Sequence, residues 1–154
     1  MSGKLWVLLL LGVLVGACAK PKYAPDTGRR EGKPDATGAP LECQVRFKSS
    51  GLCLTWAWEQ EPTANSSGSL IFRTFQWNAA EQTALKADTA SVPEVVLWMP
   101  RMGHGSSPTH TVRIETGTYR SSKVFFVMPG EWEIRFQVKN GTEILDEARV
   151  QYTF

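Results

Sequence analysis

Residues 41–154 predict an all-β domain, and three observations carry that prediction. Apolar residues recur with period two over short segments, most cleanly in Glu131–Lys139. There Trp132, Ile134, Phe136 and Val138 share one face, while Glu131, Glu133, Arg135, Gln137 and Lys139 share the other. Turn chemistry punctuates such segments: Asn140-Gly141 is a favoured hairpin turn, and Pro93, Pro100, Pro108 and Pro129 stand where strands start or end. No part of this region carries a long helical stripe. A region of about 114 residues is enough for one packed core. The expected architecture is an antiparallel β-sandwich of immunoglobulin-like type, with an up-and-down barrel as the alternative.

Two segments precede that domain. Lys4 followed by the apolar run Leu5–Val15 reads as a secretory signal, because the run is too short for the roughly 20 residues a bilayer span needs. Val15-Gly16-Ala17-Cys18 resembles a bacterial lipobox, so residues 1–17 are expected to be a lipoprotein signal peptide and Cys18 the lipidated first mature residue. An ordinary cleavage after Ala17 is the competing reading. Ala19 after the lipidated cysteine, where Asp would signal inner-membrane retention, favours the periplasmic face of the outer membrane. Residues 18–40 carry Pro21, Pro25, Pro34 and Pro40, several glycines, and the basic residues Lys20, Lys22, Arg29, Arg30 and Lys33. With Tyr23 their one aromatic residue, they predict a flexible basic tether that cannot bury enough apolar area to order itself.

Within residues 41–154 the expected strands are 42–47, 53–59, 69–77, 92–99, 110–115, 123–127 and 131–139. A returning strand after Asn140-Gly141 should place Ala148, Val150, Tyr152 and Phe154 on one face. Residues 79–88 have weak helical character and equally fit an edge strand or a loop. The tryptophans at 56, 58, 77, 98 and 132 are most simply core or sheet-face residues. Cys43 and Cys53 are an even pair in an exported chain, separated by a segment that reads as strand, turn, strand, and a structural disulfide is expected. Their spacing does not resemble a two-thiolate chelate.

Composition excludes some functions. A net charge of +2, with basic residues outside the tether spread out, does not imply nucleic acid. No Gly-x-Ser-x-Gly elbow exists and neither histidine has a carboxylate near it in sequence, so an enzyme is not expected. The distribution of methionine points elsewhere. After Met1 the chain has Met99, Met102 and Met128, and both histidines, His104 and His110, fall close behind the first two. Methionine used as core filler would be scattered over many strands. Thioether and imidazole together suit copper, above all copper(I), because the sulfur is soft and has no proton to lose, whereas zinc prefers thiolate or more histidines. Gly103 and Gly105 free the backbone to swing His104 inward. The expected ligands are therefore Met99, Met102, His104 and Met128, with His110 as an auxiliary candidate. Since neutral imidazole is the ligand form, binding should weaken in mild acid.

The run Leu97-Trp98-Met99-Pro100-x-Met102-Gly103-His104-Gly105, then Gly117-x-Tyr119, then Phe126-x-Met128-x-Gly130-x-Trp132-Glu133-Ile134 resembles the YtkA-like domain, related to FixH-like proteins. The likeness is carried by residues 92–138 and implies a YtkA-like β-sandwich domain over residues 41–154. It implies a small exported β-sandwich associated with copper handling, in some members with haem–copper oxidase assembly, and copper ligation by Met99, Met102, His104 and Met128. The expected role is a metallochaperone-like lipoprotein that holds copper(I) for delivery to an oxidase subunit or a copper efflux protein, or for sequestration. The lipobox, the basic tether and the Cys43–Cys53 pair are departures that the short motif does not require. The alternative role is a non-metal envelope adaptor that uses the Met-Gly-His loop as a protein-contact surface.

Overall fold

Alternating apolar and polar side chains build two antiparallel sheets in the computed structural model, which describes residues 43–78, 80–81 and 83–154. The expected signal peptide 1–17, lipidated Cys18, the tether to residue 40 and the first two residues of the domain lie outside the described residues. In chain order the strands are β1 Val45–Arg46, β2 Cys53–Gln60, β3 Gly68–Asn78, β4 Thr83–Lys86 and β5 Glu94–Met99. Then come β6 His104–Gly105, β7 His110–Glu115, β8 Thr118–Val124, β9 Glu131–Asn140 and β10 Glu143–Thr153. One sheet runs β1-β2-β3-β8-β7, with β4 pairing the end of β3, and the other runs β10-β9-β5-β6.

The core fills the space between the sheets. Leu54, Leu70, Phe72, Tyr119 and Val124 come from the first sheet, and Val95, Leu97, Trp132, Ile134, Phe136 and Val138 from the second. Phe72 stacks on Tyr119 at 5.0 Å and meets Phe136 edge-on across the sandwich, also at 5.0 Å. Full burial of such side chains contributes roughly 1.5–3 kcal/mol each. The alternation expected of β9 is realised: its four apolar residues are all core. Gly141, with φ +60°, makes the tight turn into β10.

One open element is settled and one expected strand is displaced. Residues 79–88 contain an edge strand, β4, paired to β3 from Phe75↔Lys86 to Asn78↔Thr83. The expected strand 123–127 is displaced: the strand ends at Val124, and residues 125–130 are an irregular connection between the sheets. Its apolar residues are needed there because Phe126, 1% exposed, fills the core from the connection and stacks on Tyr152 and Phe154 at 5.1 and 4.9 Å. The strand itself reaches back to Thr118 and lies between β3 and β7. A register shift there leaves Lys123 at φ 59°, a left-handed conformation uncommon outside glycine and usual at a bulge.

Cys43 and Cys53 form a disulfide, with Cα atoms 5.1 Å apart, that pins the residues before β1 to the start of β2. The turn after β1 is held by β10. Ser49 and Ser50 N–H groups each donate to Asp146 at 2.8 Å, and Lys48 N–H donates to the Glu147 carbonyl at 3.3 Å.

Candidate metal centre

The site is built on the β5–β6 hairpin. Pro100 opens the turn after Met99, and the N–H groups of Met102 and Gly103 both donate to the Met99 carbonyl, at 3.2 and 3.0 Å. Gly103, at φ +66°, supplies the left-handed residue that closes such a turn. The register is Trp98↔Gly105 and Met99↔His104. Residues directly opposite on paired strands share a face, so Met99 and His104 project together.

That face is the inner one. Met99 is 4% exposed and belongs to the core, and His104 is half-buried. The His104 ring meets Trp132 edge-on, with centroids 6.1 Å apart. The Met99 methyl lies over Gly130, where a β-carbon would stand only 2.9 Å from it. Gly130, at φ +145°, is in turn fixed by a reciprocal backbone pair with Phe154, at 2.9 and 3.0 Å. Trp132 is fully buried and donates its indole Nε1–H to the Met128 carbonyl at 3.1 Å. The Ser106 hydroxyl donates to the Phe125 carbonyl, and Ser106 N–H to the Leu97 carbonyl at 3.1 Å. The hairpin and the connection 125–130 are therefore stitched together at one end of the sandwich.

The expected ligands differ in how they are held. Met99 and His104 are paired and inward. Met128 stands in the connection, not at a strand end as expected, and is 37% exposed; Met102 rides the hairpin tip at 61%. All four are at the same end of the sandwich. His110 is apart from them: it begins β7 in the other sheet, opposite Ser122. The hydroxyl of its neighbour Thr109 donates to the Val95 carbonyl at 2.6 Å, four residues short of Met99, which at about 3.3 Å per strand residue is about 13 Å along β5.

The chemistry of the donors is narrow. Among the described residues no three His, Cys, Asp or Glu side chains are grouped to hold a metal ion, so a metal here would rest on thioethers and the His104 imidazole. His104 Nδ1 lies 3.1 Å from the Gly105 carbonyl. A proton on Nδ1 satisfies that contact and leaves the Nε2 lone pair as the ligand. Such a set fits copper(I) better than zinc or a hard cation. Sequence reasoning missed two supporting residues, Gly130 as the seat of the Met99 methyl and Trp132 as the anchor of the Met128 backbone. Pro129-Gly130 ahead of a strand was the one local sign that the backbone there is special.

Away from this end the strongest electrostatic feature is Asp88. Arg113 grips its carboxylate with two hydrogen bonds of 2.9 and 2.8 Å, Gly117 N–H donates at 2.8 Å and the Tyr119 hydroxyl at 3.2 Å. The guanidinium, helped by the Gly117 amide, holds the carboxyl well below its ordinary range. Asp146 is also lowered: burial pushes it up, but the Ser49, Ser50 and Glu147 N–H groups and the Ser50 hydroxyl outweigh that. Both carboxylates fasten loops and touch no candidate ligand.

Compared with protein-family models, with curated proteins and with solved structures, the chain matches none.

Proposed function

We propose that this chain is an extracytoplasmic copper-binding lipoprotein. It is anchored through Cys18 at the periplasmic face of the outer membrane, and it holds copper(I) through Met99, Met102, His104 and Met128 for delivery or sequestration. The observation that carries the reading is the Met99↔His104 pairing beside the Met128 connection, a soft donor set joined at one end of the fold. The resemblance to the YtkA-like domain supports the same role, with a haem–copper oxidase subunit or a copper efflux protein as recipient. No catalytic step is assigned to it. The scaffold is read as immunoglobulin-like because β2-β3-β8-β7 facing β10-β9-β5-β6 follows the ABED and GFC orders of that fold, with β6 added beside the C position. The Cys43–Cys53 bridge is in keeping with an oxidising compartment.

A competition titration against a copper(I) chelator tests the reading. The wild-type chain should bind one equivalent, and the Met99→Leu, Met102→Leu, His104→Ala, Met128→Leu quadruple variant should lose it while keeping its β circular dichroism. Wild-type affinity in the variant would refute the site. A non-metal adaptor role is the second reading. It is favoured by the exposed apolar residues at the same end, Met102 at 61%, Val127 at 46% and Met128 at 37%.

A further inference from the structure

The candidate ligands divide sharply by exposure. Met99 is 4% exposed, its methyl enclosed against Gly130. Met102 is 61% exposed at a hairpin tip so open that a β-carbon added to the neighbouring Gly103 would meet nothing within 4 Å, and Met128 is 37% exposed. A thioether reacts with a hydroperoxide at its sulfur lone pair, so access decides which methionines react. We propose that Met102 and Met128 are the sites of reversible sulfoxidation, and that this oxidation opens the metal site whose existence rests on the function proposed above.

The step is a two-electron oxygen transfer. The sulfur attacks the outer peroxide oxygen, the O–O bond breaks, and the sulfoxide forms as the remaining oxygen leaves as water or an alcohol. A sulfoxide offers a polar oxygen where a soft sulfur pair had been, which removes the feature that suits copper(I). Met99 and His104 remain, a two-donor remnant of a four-donor set. The fold has little reason to respond. Met128 contributes its backbone carbonyl, and not its sulfur, to the Trp132 bond, and Met102 contributes its backbone N–H to the turn. A dithiol-dependent sulfoxide reductase would return the oxygen as water, with the dithiol leaving as a disulfide, and restore both thioethers.

Peptide mass spectrometry of the full chain during hydrogen peroxide treatment, followed by copper(I) competition on the oxidised protein, tests this. Met102 and Met128 should oxidise at least tenfold faster than Met99, near-ultraviolet circular dichroism should be kept, and copper(I) affinity should fall tenfold or more. Methionine sulfoxide reductase with dithiothreitol should restore it. Equal oxidation of Met99 in the folded protein would overturn the proposal, as would an oxidised chain that binds copper(I) as tightly as the reduced one. A reduced chain that binds no copper(I) would instead overturn the parent reading, and the switch with it.

Discussion

The two ends of the sandwich are fastened by different chemistry. At the end where β8 and β10 begin, loops are clasped by polar side chains, chiefly two carboxylates. Asp88 takes Arg113, Gly117 and Tyr119, Asp146 takes the Ser49 and Ser50 amides, and the Ser91 hydroxyl donates to the Lys139 carbonyl at 2.9 Å. At the end where β5 finishes and β9 starts, the fixing is done by backbone pairs and aromatic packing: Met99 with Met102 and Gly103, Gly130 with Phe154, Trp132 with the Met128 carbonyl. The first arrangement commits its side chains to stability. The second fixes the main chain and leaves the Met102 and Met128 side chains exposed, where the proposed function uses them as donors together with Met99 and His104. Substitutions at the two ends should therefore separate stability from metal affinity.

The largest expected effect on stability belongs to the clasped end. Replacing Cys43 and Cys53 with serine should cost about 2–3 kcal/mol in urea unfolding, the entropy of a loop of that size, and leave copper(I) affinity unchanged within error. Asp146→Ala should come next, at about 2 kcal/mol, because it strips a charged acceptor from the Ser49 and Ser50 amides. That contribution has a pH signature. The folded carboxyl titrates below its unfolded value, so the clasp is complete above the ordinary carboxylate range and is lost as the pH falls through the folded value. The wild-type chain should accordingly lose stability on acidification below about pH 4, with a shallower slope in Asp146→Ala. At the other end, Met102→Ala should change stability by less than about 0.5 kcal/mol, as for an exposed position, yet weaken copper(I) binding tenfold or more. A fall in affinity with Asp146→Ala equal to that with Met102→Ala would erase the distinction between the ends.

The same contrast explains what could be read from the sequence. Strand β9 was legible because one of its faces packs on core and the other carries charge, which gives a clean period of two. Strand β8 was not. Arg120, Ser121, Ser122 and Lys123 look like a solvated loop, yet Ser121 is fully buried and its hydroxyl accepts from that of Thr111 at 3.2 Å. A small polar residue satisfied across a sheet has no apolar signature. The reverse error came at residues 125–127, where an apolar run looked like a strand but belongs to the crossover from which Phe126 fills the core. The hairpin residues Met99, Met102 and His104 were legible in the sequence as an unusual concentration of methionine and histidine. Their seating against Gly130 and Trp132 was not, since it depends on which connection the fold brings beside β5. His110 was set apart as an auxiliary candidate at the start of an expected strand, and six residues of chain after His104 carry it to the opposite sheet.

Copper K-edge X-ray absorption on the chain after copper(I) addition tests the proposed thioether–imidazole centre most directly. The first shell should be dominated by sulfur at about 2.3 Å, the distance typical of a thiolate on zinc and close to what a thioether on copper(I) should give. One nitrogen scatterer should accompany it and disappear in His104→Ala. A shell made only of nitrogen and oxygen, unchanged by replacing Met99, Met102 and Met128, would contradict the account.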